Sequence, residues 1–481
     1  MTFRLLIVIT ILTTGVLTAS ASNFKAGSLV QVTGASPFAN CTADNVASQA
    51  GTNFLNSEVE PWVDVNPTNP KNIVGGVQQD RWSTGGARGL VASVSFNGGK
   101  TWQNVVIPGL TLCSGGTFQR ASDPWLSFAP NGDLYFLSLV SDVNPGGLLG
   151  DNAILVNKST DGGLTWSDPI TLIRDITPAR FDDKQSITAD PTDPNFVYAV
   201  WDRSTGQFII QVVTEFARTT DAGETWETRV IYRSDPDDGN IGHQIVVLPD
   251  GTLVDVFTEL RFHGAILEEI LLSVIRSGDK GATWSPVIRA SDIQPAGVTD
   301  PETGDPVRAG GILAEVAVDR NSGALYAVWQ DSRFSGVSSV AFSQSTDGGF
   351  TWSAPVKINK TPSSSVPGNM QAFTPSVDVA ADGTIAVTYY DFRNNTSAAA
   401  LLTDYFVIHC HPPAGCTNPA NWGNEIRLTN TSFDMRQAPF AGGFFVGDYE
   451  GLASGGNDFV AFFSQPHGSD PASVFFRRVG P

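Results

Sequence analysis

The chain has 481 residues, 16% charged and 41% hydrophobic, which is ample for a large core and unlike a disordered or fibrous protein. Its formal net charge of −19 sets long-range electrostatics against nucleic acid and anionic membranes, so an anionic ligand has to be captured by local arginines. Gly (48), Phe (29) and Trp (11) are plentiful while Met (3) is scarce, a balance that favours a β-protein with many turns over a helical one.

Residues 1–21 have a basic start, an apolar run and the small-x-small end Ala19-Ser20-Ala21, and are read as a signal peptide. This leaves 22–481 as a mature chain that is secreted, to the exterior or the periplasm. No later apolar run reaches the length of a membrane-spanning helix. The four cysteines suit an oxidising compartment. Cys410 and Cys416 are close enough to staple one hairpin, and Cys41 with Cys113 would tie the N-terminal segment to the first repeat. A zinc site at CHPPAGC, with His409 and His411, is the weaker reading, because a closed site would want a second cysteine pair.

From residue 58 a unit of four short strands is legible: PWVDVNP, IVGGVQQDR, GLVASVSF and, after a turn, WQNVVIP. The same order returns from Asp123, Gln185, His243, Glu315 and Pro375. Between third and fourth strands stands a repeated phrase: SFNGGKTW (95–102), STDGGLTW (159–166), TTDAGETW (219–226), SGDKGATW (277–284) and STDGGFTW (345–352). Its tryptophans fall roughly 60 residues apart. Trp422 falls where a sixth is due, with the Cys410–Cys416 hairpin in place of the turn. A last unit from Gly447 has three strands, and GSLVQVT (27–33) can supply its fourth. The expected fold is all-β: a β-propeller of four-stranded antiparallel blades, seven in number with six as the alternative, closed by the N-terminal strand. Residues 22–481 then form a single domain, because no blade can bury its faces alone.

In S-x-D-x-G-x-T-W the Asp can bond nearby backbone N–H groups, the glycines supply unusual backbone angles, and the Trp buries a ring between units. A catalytic reading would need five equivalent sites, so the phrase is structural. It is also the Asp-box, or bacterial neuraminidase repeat, and on these five copies the chain resembles the sialidase-like propeller superfamily over nearly its whole mature length. The resemblance implies a lean towards glycans. It also puts the boxes on the face away from the active site, leaving second-to-third strand loops and inner-strand starts as the place to search.

The second strands end in Gln79-Asp80-Arg81, Trp201-Asp202-Arg203, Glu259-Leu260-Arg261, Asp331-Ser332-Arg333 and Asp391-Phe392-Arg393. Arg81, Arg203, Arg261, Arg333 and Arg393 are therefore candidates for binding a sugar carboxylate, against the plainer reading that each pairs with its neighbouring acid. The inner-strand starts add Glu60, Trp62, Asp123, Trp125, His243, Glu315, Asp448, Tyr449 and Glu450 near the axis. Of these, Tyr449, Glu315, Asp123 and His243 are the candidate catalytic residues. The sialidase likeness implies a Tyr449–Glu315 nucleophile pair and an Asp123 acid/base. It departs at Val59-Glu60-Pro61-Trp62, where the family has Arg-Ile-Pro. The expected activity is a sialidase-like exo-glycosidase removing a terminal acidic sugar. The alternatives are a polysaccharide lyase acting on uronates, with His243 and Tyr449 moving protons, and a non-catalytic glycan- or protein-binding propeller. The chain is expected to be a monomer acting on carbohydrate, with no cofactor, metal, nucleic acid or membrane partner. Turns such as SDPDDGN (234–240) and DPETGDP (300–306) read as solvated loops before they read as calcium sites.

Overall fold

The computed structural model describes residues 24–143, 149–177, 179–205, 211–412 and 415–481; the expected leader peptide, 1–21, lies outside them. The described residues form strands, turns and a few short 3₁₀ stretches, with no α-helix among them. Antiparallel sheets follow one another along the chain. The first pairs Glu58–Val65, Ile73–Arg81, Ala87–Ser95 and Gln103–Val106 in order, and the second Arg120–Phe128, Leu134–Val143, Leu149–Ser159 and Ile170–Asp175. The third runs Arg180–Ala189, Val197–Thr205, Gln211–Thr219 and Glu227–Arg233, and the fourth Gly239–Val247, Leu253–His263, Ile266–Ser277 and Ile288–Asp292. Glu315–Val318 opens a fifth and Ala372–Val379 a sixth. The last pairs Gly451–Gly455, Asp458–His467 and Asp470–Gly480. Its outer edge is completed from the N-terminal segment, where Lys25 and Ala26 pair with Gly480 and Val479, and Val30 and Gln31 with Phe476 and Phe475.

The first strand of each sheet packs beside the first strand of the next, and Gly451–Gly455 packs against Glu58–Val65. The first two sheets also meet through the Ala87–Ala121 backbone pair, and bonds such as Ser186 Oγ to His243 O (2.8 Å) cross between neighbours, while apolar burial fills the space between the sheets. Val74, Ala92 and Val94 of the first sheet share a core with Leu126, Phe136 and Leu155 of the second. Val63, Ile73 and Val77 likewise share one with Val460, Phe462 and Val474 of the last.

The repeated phrase closes each third-to-fourth strand turn by itself. In the second copy Asp161 Oδ1 accepts from the backbone N–H groups of Leu164 (3.0 Å) and Thr165 (2.9 Å), and Oδ2 accepts from the Thr165 hydroxyl (2.6 Å). The Trp166 indole donates to Gly163 O at 3.0 Å. Asn97 makes the same backbone bonds in the first copy. Gly99 shows why the phrase needs glycine twice over: its φ is +88°, and a Cβ there would lie 2.2 Å from the Phe476 ring of the last sheet. Trp422 takes the place of a sixth box tryptophan, buried edge-on against Phe342 (4.9 Å) with its indole bonded to Cys416 O (2.7 Å). Both expected disulfides form, Cys41–Cys113 and Cys410–Cys416, which leaves no thiolate for zinc.

Candidate functional site

Five of the first strands share one irregularity. Their pairing slips between Val59 and Trp62, Ser122 and Trp125, Asp183 and Ser186, Ile241 and Gln244, and Phe373 and Ser376. At each slip one residue turns left-handed: Glu60 (φ 52°), Asp123 (φ 50°), Lys184 (φ 46°), Gly242 (φ 73°) and Thr374 (φ 48°). Glycine adopts that angle freely, whereas each of the others costs about 1 kcal/mol or more. A bulge re-aims a side chain. In the first three sheets it sends Glu60, Asp123 and Lys184 to a common point.

Lys184 Nζ lies 2.9 Å from Asp448 Oδ2, 3.2 Å from Glu60 Oε1 and 3.4 Å from Asp123 Oδ2. Arg308 forks onto Asp448 through Nε (3.0 Å) and Nη2. The Gln78 amide donates to Glu60 and reaches Asp123 Oδ1 at 3.5 Å. Arg81 donates to Gln78 Oε1 (2.7 Å), and its buried Nε has no hydrogen-bond partner. The Arg81 and Arg308 guanidiniums both stand over the Phe445 ring, at 4.9 and 4.5 Å. A pocket of about 160 Å³ opens on this cluster, lined by Arg81, Asp123, Asp183, Lys184 and Arg308. Leu139, Val143 and Phe181 give it an apolar wall, and the Thr84-Gly85-Gly86 turn lines it too. That turn is fixed by buried Arg120, which donates to Gly85 O (2.7 Å) and Ala50 O (2.8 Å) and stands over Trp82. A larger void of about 470 Å³ touches the first strands of all the sheets, and its carboxylates are Asp64 and Asp378. Asp64 is already bonded to the backbone N–H groups of Val65 and Phe128, whereas the smaller pocket gathers two carboxyls, a lysine and two arginines.

The carboxyls at the pocket are driven apart in proton affinity. Burial pushes Glu60 up to about 8 against the pull of Lys184. Asp183 rises to about 6, through burial first and the Asp123 charge second. Asp123 moves the other way: burial opposes its charge, but the Lys184 ammonium and bonds from Ser122 and Glu60 outweigh it and hold it below 3.8. Asp448 is held well below the usual range, burial being overcome by Lys184 and Arg308. Burial disfavours the Lys184 charge as well, yet the surrounding carboxylates keep it protonated. At mildly acidic pH the pocket therefore offers a protonated Asp183 and an ionised Asp123, an arrangement suited to acid–base chemistry.

Of the catalytic candidates, Asp123 joins the cluster. Tyr449 lies against it, its ring 5.6 Å from Lys184 Nζ and packed on the Trp125 ring at 5.3 Å, which itself stacks on Trp62. Its hydroxyl bonds Pro124 O at 3.4 Å, and burial with the nearby acids pushes the phenol far above its ordinary value. Glu315 lines a small pocket of about 20 Å³ together with Tyr449, Asp123, His243 and Lys184, and burial raises it well above the usual carboxyl range. His243 is locked instead of free, with Nδ1 on Asp255 Oδ2 (2.8 Å), Nε2 on Asn240 Oδ1 (2.9 Å), and its ring stacked on Phe257.

Four of the five candidate arginines are paired with acids, as the plainer reading expects. Arg203 is taken by Asp175 and Glu215, Arg261 by Glu259 (3.3 Å), Arg333 by Asp331 (2.8 Å) and Asp292, and Arg393 by Asp391 (2.6 Å) and Glu425. The acid two residues before Arg261, Arg333 and Arg393 is the partner, so the motif is a local ion pair. Arg81 alone of the five lines the pocket. Sequence reasoning missed Asp183, Lys184 and Arg308. The first two occupy the repeat position of Ser122 and Asp123, a signal available from aligning the bulges. Arg308 comes from Pro306–Arg308, outside the four-stranded repeat, in a small sheet where it pairs with Phe444–Phe445.

No protein-family model and no curated protein matches this sequence. Among solved structures the chain is similar to a protein of unknown function from Dyadobacter fermentans, at 13% identity and TM-score 0.47 over 95% of this chain and 99% of that one. It is similar to a Hadza microbial sialidase at 15% identity and TM-score 0.47, over 85% of this chain and 73% of that one. A Penicillium chrysogenum α-L-arabinanase aligns at 14% identity and TM-score 0.46, over 94% and 98% of the two chains. Likeness at this level speaks to neither activity nor substrate.

Proposed function

We propose that this chain is a secreted glycoside hydrolase, built as one seven-bladed propeller closed by its N-terminal strand, that removes a terminal acidic sugar. The architecture is supported by the return of Gly451–Gly455 to Glu58–Val65 and by the Gly99–Phe476 contact across that junction. The single observation carrying the activity is the pocket that joins Asp123 and Asp183 with Arg81 and Arg308. Asp183 is the general acid, protonating the glycosidic oxygen as the bond to the leaving group breaks. Asp123 is the ionised carboxylate that assists attack at the anomeric carbon. The under-bonded Arg81, with Arg308, meets the sugar carboxylate. Tyr449 and Glu315, both favouring their neutral forms, serve as packing beneath the cluster and not as a nucleophile pair. With His243 fully bonded, the lyase reading loses its base.

The test is turnover of fluorogenic sialoside, glucuronide and arabinofuranoside by the purified protein, beside Asp123→Asn and Asp183→Asn. Release from an acidic glycoside that both variants lose is the expected result. The activity needs Asp183 protonated and Asp123 ionised, so it should fall as pH climbs through about 6. Turnover unchanged in both variants, or none on any glycoside, would overturn the assignment.

A further inference from the structure

Lys184 touches both members of the proposed catalytic pair by different atoms. Its backbone N–H donates to Asp183 Oδ1 at 2.9 Å, while its ammonium stands 3.4 Å from Asp123 Oδ2. At the left-handed bulge angle, φ 46°, one residue presents main chain to one carboxyl and side chain to the other. The side chain is 10% exposed and its stem is committed, with the ammonium also on Glu60 (3.2 Å) and Asp448 (2.9 Å). We propose that Lys184 is a positioning residue for this reaction: its ammonium, fixed among the carboxyls of three other strands and turns, decides which pocket carboxyl is the acid and which the base. The proposal rests on the hydrolase reading of the same pocket.

The charged and titratable groups around it define what its removal does. Glu60 and Arg81 come from the first sheet, Asp123 from the second and Asp183 and Asp202 from its own. Asp448 and Tyr449 precede the last sheet, and Arg308 comes from the insertion. Arg308 bonds Asp448 and Arg81 bonds Gln78, so neither replaces the ammonium at Asp123. Without it, Asp123 is left buried between a neutral Glu60 and an acidic Asp183, and takes up a proton more readily.

The experiment uses the full chain, wild type against Lys184→Met and Lys184→Arg. It reads the acid limb of the pH–rate profile on the glycoside turned over and, independently, the ¹³C carboxyl titration of Asp123, assigned by its loss in Asp123→Asn. In Lys184→Met the acid limb and the Asp123 titration should move together from below 3.8 to above it, with kcat down about 10²-fold. Lys184→Arg should restore most of both. An Asp123 titration that stays put in Lys184→Met overturns the proposal. If that variant does not fold, an Asp123 in the wild type titrating at or above 3.8 overturns it equally. Should Asp123 shift as expected while no glycoside is turned over, the hydrolase reading fails and takes the role of Lys184 in that reaction with it, leaving only its hold on the Asp123 proton.

Discussion

The two ends of the first four sheets answer the same backbone problem in opposite ways, with a box at one and a bulge at the other. At one end the turn between third and fourth strands carries nearly the same residues five times over, and every polar group of Asp161 is consumed by its own turn. At the other end the first strands carry one bulge five times over, yet the residue in it is Glu60, Asp123, Lys184, Gly242 or Thr374. Constant residues on constant geometry make structure. Varied residues on constant geometry make a site, because the backbone supplies the aim and leaves the chemistry free.

Substituting aspartate at each end separates these roles most widely. Asp123→Asn should lower turnover by about 10²- to 10⁴-fold with little change in melting temperature. Asp161→Ala should leave turnover alone and cost about 1 kcal/mol, the worth of a well-made turn cap, read from a denaturant midpoint. Above both in structural cost stands Gly99→Ala, which puts a side chain at φ +88° and against Phe476. We expect about 3 kcal/mol of lost stability, and a loss below about 0.5 kcal/mol would mean that the Phe476 ring gives way to a methyl group at Gly99.

The smallest effect is one of sign. Bonds from the Thr225 and Thr283 hydroxyls hold Asp221 and Asp279 down to about 2, so the turns stabilise the fold above pH 3.8 and lose that contribution as pH falls through 2. At the bulge end, burial raises Glu58 to about 8 from 4.5. The fold there prefers the protonated acid, so stability is fully present below 4.5 and drains away as pH climbs through 8. Glu58→Gln should therefore melt about 2 °C above the wild type at pH 8 and together with it near pH 4.5. Parallel curves across that range would show that Glu58 ionises as freely in the fold as out of it.

How far this was legible in the sequence follows the same division. The boxes and the four-strand rhythm could be read because each rests on local residue chemistry repeated at a fixed interval, and the N-terminal edge strand and both cysteine pairs followed from what that rhythm left over. Asp123, Glu60 and Asp448 could be read from position. Lys184 was missed by one residue, since the third unit was started at Gln185, and a lysine among acids did not look like its counterparts Glu60 and Asp123. Arg308 belongs to no repeat position, and its approach to Asp448 spans 140 residues of chain, which no spacing rule reports. The arginine motif reads two ways from sequence, as a carboxylate-binding set or as local ion pairs, and Glu259, Asp331 and Asp391 make Arg261, Arg333 and Arg393 local pairs.

The last sheet is finished by the earliest described strands, and Val474 N bonds Thr33 Oγ1 across 441 residues. In the order of synthesis, the earlier of these two segments must wait, unpaired, until the later one emerges. Until then both edges are open to strands of other copies. Speed of folding is thus governed by one encounter between near-terminal segments. Deleting 25–31 or 470–480 should leave the same species: intermediate sheets formed, two raw edges, and a strong tendency to aggregate.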